Sequence, residues 1–92
     1  MERPPEFPGE RVLQIASLAG SQPTRGREGG PELAGLAIVR SDAEPHSVYL
    51  YACDSDWNVV WDSWHLDVAS ALEEARLTYR PTPKFKEISP DE

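Results

Sequence analysis

Thirty-three consecutive residues, Ser47 to Tyr79, contain no proline and no glycine, although the chain has nine prolines and six glycines. All three tryptophans, all three tyrosines and the single cysteine lie in this stretch. Proline and glycine punctuate regular structure, so a segment that excludes both and concentrates the aromatics must carry the folded core.

The pattern of the stretch changes midway. From Ser47 to Cys53 it suits a strand. Asp54-Ser55-Asp56-Trp57 then suits a four-residue type I turn, its leading Asp placed to accept a hydrogen bond from the backbone two residues on. A return strand follows from Asn58. An even register across that turn sets Ala52 opposite Val59 and Leu50 opposite Trp61. Val48, Leu50, Ala52, Trp57, Val59 and Trp61 then share the core face. Tyr49, Tyr51, Cys53, Asn58, Val60 and Asp62 share the other.

The second half reads as a helix. Asp67 is an N-cap, with Leu66 before it as an apolar staple. Val68, Ala71, Leu72, Ala75 and Tyr79 fall on one stripe, and two alanines in it permit close approach to a sheet. Ser70 and Glu73 offer a second capping box one turn later. Pro81 ends the helix, because the residue before proline is pushed out of helical space.

The flanks are less regular. Residues 1–9 hold three prolines among alternating charges and are expected to be disordered. Arg11 to Leu18 reads as a strand, with Leu13 and Ile15 on one face and Val12, Ala16 and Leu18 on the other. Residues 20–32, with four glycines and two prolines, form a flexible loop. Leu33 to Arg40 is a second strand. Residues 81–92 make an extended, partly disordered tail in which Lys84 to Ile88 could add an edge strand. The expected fold is a single α+β domain over residues 10–80. It has an antiparallel sheet of three to four strands with one C-terminal helix packed on one face.

Charge is segregated along the chain. The formal net charge is −7, and residues 41–79 carry all of it, with eight acids against Arg76 alone. Such a field repels phosphate backbones and speeds encounter with a basic protein, so nucleic acid is not the expected partner. No apolar run approaches the roughly 18 residues of a membrane span. One cysteine provides no internal disulfide and suits a reducing compartment. A cytoplasmic protein without a membrane partner is expected.

Chemical sites are weighed on their residues. Asp54-Ser55-Asp56-Trp57-Asn58 opens like a calcium loop, but Val59 and His65 stand where a glycine and a closing glutamate belong. Arg25 and Arg27 lack the lysine-hydroxyl ending of a phosphate loop. Cys53 sits beside Asp54, whose charge opposes a reactive thiolate, so pairing with His46 or His65 makes a poor catalytic couple. Asp62, His65 and Asp67 could hold a metal or tune a base at the strand–helix junction. No cofactor is implied.

The most suggestive surface is the outer hairpin face. Tyr49, Tyr51, Val60, Asp62, Trp64 and His65 form the candidate interaction surface, aromatic and rimmed by acids.

Cys53-Asp54, Asp56-Trp57, Asp62-Ser63-Trp64-His65, Asp67-Val68 and Ala71 form a pattern that resembles a small uncharacterised bacterial α+β family. In that family a strand ends in Cys-Asp, Asp-Trp precedes a second strand, and Asp-Ser/Thr-Trp-His leads into a capped helix. Leu66 departs from the polar residue that the pattern has there. The resemblance implies the hairpin-helix unit and no activity.

The expected function is a non-enzymatic protein-binding or inhibitor module, immunity-like, whose partner is a basic protein. One alternative is a small metal-binding protein or enzyme centred on Asp62, His65 and Asp67. Another is a homo-oligomeric structural protein, a homodimer in the simplest case.

Overall fold

The computed structural model describes residues 7–18, 22–23 and 33–88. The elements run β1 (Glu10–Ser17), β2 (Gln22–Pro23), β3 (Gly35–Ser41), β4 (Val48–Cys53), β5 (Val59–His65), α1 (Val68–Thr78), β6 (Tyr79–Arg80) and β7 (Phe85–Glu87). Five of the strands form one antiparallel sheet in the order β5-β4-β3-β1-β7, and β2 pairs with β6 separately. The fold is α+β with a C-terminal helix. The main sheet has five strands rather than the expected three to four, because β7 pairs with β1 and completes the far edge.

The centre of the sheet follows from sequence. Leu36, Ala37, Ile38 and Val39 in β3 are all fully buried, as a strand flanked on both sides and apolar on both faces must be. One face meets the helix. Ala16, Leu36, Ile38, Val48, Leu50 and Ala52 pack there with Ala71 and Ala75 of α1 and with Tyr79. The two helix alanines are buried to zero exposure, the close approach that the stripe implied. Phe85 packs against the same core from β7.

The helix start is where Asp67 places it. Asp67 has extended backbone and its Oδ1 accepts the Ser70 N–H at 2.8 Å, which satisfies one of the orphan donors of the first turn. The same bond holds the Asp67 carboxyl below its ordinary range. Leu66 is no staple. It is 68% exposed.

Two local devices shift the expected registers. In β1, the pairing with β3 slips between Val12 and Gln14, so Leu13 bulges toward the helix-side core while Ile15 lies opposite Ala37 on the other face. Leu13 and Ile15 therefore do not share a face. In the hairpin, Trp57 adopts a left-handed backbone, φ 63°, which lengthens the connection to residues 54–58. Ala52 then lies opposite Trp61 and Leu50 opposite Ser63, with a slip at Val60. Val48, Leu50, Ala52 and Trp61 keep their common face. Val59 moves to the other, opposite Cys53, and is 43% exposed.

The turn itself is built on Asp54. Its Oδ1 accepts the backbone N–H groups of Asp56 and Asn58, each at 2.9 Å, and its Oδ2 accepts Asn58 Nδ2 at 3.2 Å. These bonds lower the Asp54 pKa, with the Asn58 backbone bond the largest cause. The expectations for residues 1–6, for residues 89–92 and for most of the 20–32 loop lie outside the described residues.

Candidate functional site

The sheet has a second face, turned away from α1, and the hairpin register decides what stands on it. Tyr49 lies directly opposite Trp64, and Tyr51 directly opposite Asp62. Four of the six surface residues expected from the sequence thus meet on one face. His65 lies opposite Val48 and belongs to the helix side, where its Nε2 bonds the Ser63 hydroxyl at 2.8 Å. Val60 sits at the slip in β5, half-buried and without a cross-strand partner.

The aromatic face is held by two carboxylates, Glu10 from a distant strand and Glu44 from the turn just before β4. Tyr51 donates its hydroxyl to Glu10 Oε2 at 2.6 Å, and Tyr49 donates to Glu44 Oε1 at 3.2 Å. Glu44 Oε2 also accepts the Ser47 hydroxyl at 3.3 Å. Phe7 packs edge-on to Tyr51 with ring centroids 5.1 Å apart, and the two tyrosines lie 6.1 Å apart at a tilt. Partial burial, reinforced by these carboxylates, raises the pKa of both phenols, so each stays a neutral donor. Trp64 completes the row and is 49% exposed.

Glu10, Glu44 and Phe7 carry no local sequence signal for this role. Glu10 reaches Tyr51 across 41 positions, from a strand two removed in the sheet. The segregated charge, by contrast, becomes spatial. The acidic segment 41–79 builds β4, β5 and α1, which form one side of the molecule, while Arg11, Lys84 and Lys86 lie toward the β1–β7 side.

The alternative site does not assemble. Asp62 and His65 are three apart on one strand and therefore project to opposite faces. Asp67 is engaged in capping the helix. Among the described residues, no group of three or more His, Cys, Asp or Glu is placed to share a metal ion. Cys53 is fully buried opposite Gly35 and Val59. Burial, with Asp54 adding to it, pushes its thiol up to about 12, the wrong direction for a nucleophile. A groove between α1 and β5, about 180 Å³, is lined by Leu33, Leu50, Trp61, Ser63, Glu74 and Thr78, among others. Its volume is below the roughly 300–1,000 Å³ of a typical small-molecule site, whereas a shallower hollow over His65, Asp67, Ser70, Glu73 and Leu77 measures about 410 Å³. No helix among the described residues is long and apolar enough to cross a membrane.

One basic residue stands out. Arg40 lies opposite Arg11 across β1 and β3, and its buried Nε has no hydrogen-bond partner among the described residues. Like charges directly opposed on a sheet repel, and an unpaired buried donor carries an uncompensated desolvation penalty. Arg40→Met keeps the apolar stem and removes both, so it is expected to stabilise the fold by about 1 kcal/mol. Urea unfolding of the two proteins checks this, and a loss of stability would show that the guanidinium is paired in solution.

Compared with known proteins, the chain matches no family model, no curated protein and no solved structure.

Proposed function

We propose that this chain is a non-enzymatic binding module that uses the outer face of the β4–β5 hairpin to engage a basic protein, as an acidic inhibitor does. The observation that carries the reading is the row of Tyr49, Tyr51 and Trp64 interleaved with Asp62, Glu10 and Glu44. Rigid aromatics supply contact area at low entropic cost, and a surrounding acidic rim steers and orients a basic partner. The tyrosine–carboxylate bonds pre-organise the face, which lowers the ordering cost of association.

A partner with a basic site is the natural counterpart. The −7 charge lies on residues 41–79: Asp62 on β5 and Glu44 before β4 bring part of it beside the aromatics, while Glu73 and Glu74 on α1 lie across the sheet. Occupation of a partner's basic cleft requires no catalysis by this chain, in keeping with the buried, unactivated Cys53.

The test is affinity capture from the native organism's lysate with the wild-type chain and with Trp64→Ala. Trp64 is half exposed, and its removal leaves the core untouched. Loss of a central aromatic anchor typically costs about 2 kcal/mol or more of binding, roughly 30-fold in affinity. The captured band is expected to weaken accordingly. An Asp62→Lys chain, which inverts the charge beside Tyr51, is expected to lose it. Equal capture by all three chains would remove this face from the interaction.

A further inference from the structure

The two edges of the sheet are treated differently. β7, at one edge, is three residues long, follows Pro83 and carries Lys84 and Lys86 at and beside it. Shortness, lysine and nearby proline are the devices by which proteins stop an edge from pairing with another chain. β5, at the opposite edge, is seven residues long, with neither proline nor lysine. Beyond the slip at Val60 it is regular through His65, and one side of its backbone faces no strand among the described residues.

β5 also presents anchors to both sides of a neighbouring strand. On the helix side stands Trp61, 46% exposed, beside Ser63 and Glu74 in the α1–β5 groove. On the other side stands Trp64, 49% exposed, with Asp62 two residues away on the same face. Successive residues of an added strand alternate between these sides, so each set would meet one indole and one carboxylate.

We propose that the free edge of β5 is a strand-addition site for an extended basic segment of the partner. The proposal rests on the reading of the hairpin as a basic-protein-binding surface and specifies how the partner docks. Main-chain hydrogen bonds to β5 give affinity, and Asp62 and Glu74, one on each face, each select a lysine or arginine on its own side of the added strand, at positions an odd number of residues apart. A second copy of this chain is the less fitting occupant. Antiparallel pairing of two β5 strands centred on Asp62 sets that carboxylate against itself, and each copy brings a charge of −7.

The experiment is amide hydrogen exchange by NMR on the full chain, with the seven-residue peptide Lys-Lys-Val-Val-Lys-Lys-Val, which carries lysine and valine on both faces of a strand, as the probe. A control peptide has the same sequence with every second backbone nitrogen methylated, which removes donors while keeping charge. With the lysine-valine peptide at about ten times its dissociation constant, the outward amides of Val59–His65 are expected to exchange about tenfold more slowly. The amides of β7 should not change, and Asp62→Lys should abolish the effect.

Slowing of β5 by the control peptide to the same degree would overturn strand addition, as would slowing that grows with protein concentration alone. The second outcome would assign the edge to a second copy. Perturbation of the Tyr49 and Trp64 rings without slowing of β5 would also overturn it, while leaving the face itself as a binding surface. No response of either at millimolar peptide would count against both.

Discussion

Replacing Ile38 by alanine is expected to destabilise the protein by about 3–4 kcal/mol, in the middle of the roughly 2–5 kcal/mol range for truncating a buried Leu, Ile or Met to alanine. Ile38 has zero exposure and sits in the middle of β3, the central strand of five. It packs in the cluster that contains Leu36, Val48, Leu50 and the two helix alanines. β3 is hydrogen-bonded on both sides, to β1 and β4, so the backbone cannot close the space that the lost methyl groups leave. Domains of this size have only about 5–10 kcal/mol in total, so the variant should unfold at a much lower urea concentration. Val59→Ala, at a residue 43% exposed near the hairpin tip, is the control and is expected to change stability by about 0.5 kcal/mol or less. A loss below about 1 kcal/mol at Ile38 would mean that the sheet is not closed around β3 as described.

The second large effect concerns the thiol. Cys53 has zero exposure and its pKa is pushed from 9.0 up to about 12, first by burial and then by Asp54. Three units remove about a thousandfold of the reactive thiolate at any pH below both values. Alkylation by iodoacetamide at pH 8 is therefore expected to be about a thousandfold slower, at least, in the native chain than in urea. The same shift fixes a sign for alkaline stability. Below pH 9 the thiol is protonated in both states and contributes nothing to the pH dependence. Between 9 and about 12 the unfolded chain loses a proton that the folded chain keeps, so stability falls as pH rises through that window. Labelling of the native chain at the unfolded rate would place Cys53 at the surface and undo the account of this face.

Several parts of this structure were legible in the sequence for definite reasons. Asp67 announced the helix because a carboxylate with an apolar stripe behind it has few other uses. Asp54 announced the turn because its side chain mimics a backbone acceptor. The apolar run Leu36–Val39 announced a strand, though its place at the centre of the sheet, buried on both faces, came only with the strand order. Pairing Tyr49 and Tyr51 on one face needed only the two-residue period of a strand.

What stayed hidden is non-local or conformational. A tryptophan in left-handed space at position 57 has no compositional signature, since that region normally selects glycine or asparagine. It lengthens the connection and moves Leu50 from Trp61 to Ser63. The bulge at Leu13 likewise breaks an alternation that looked regular. Glu10 under Tyr51 depends on strand order, which alternation does not encode. The expected grouping of Asp62 with His65 placed His65 in the connection to the helix; β5 runs on through it, and residues three apart on a strand point apart. The fifth strand was visible as a possibility in Lys84–Ile88, but three residues carry too little pattern to fix it.

Whether the hairpin face binds a basic protein is decided by capture of the partner with the wild-type chain at low and at high salt, the retained protein being identified by mass. The expected result is a protein with a basic surface, held at low salt and largely released at high salt, because the attraction acts through a screened acidic field. A partner of acidic surface, or one whose retention is indifferent to salt, would contradict it.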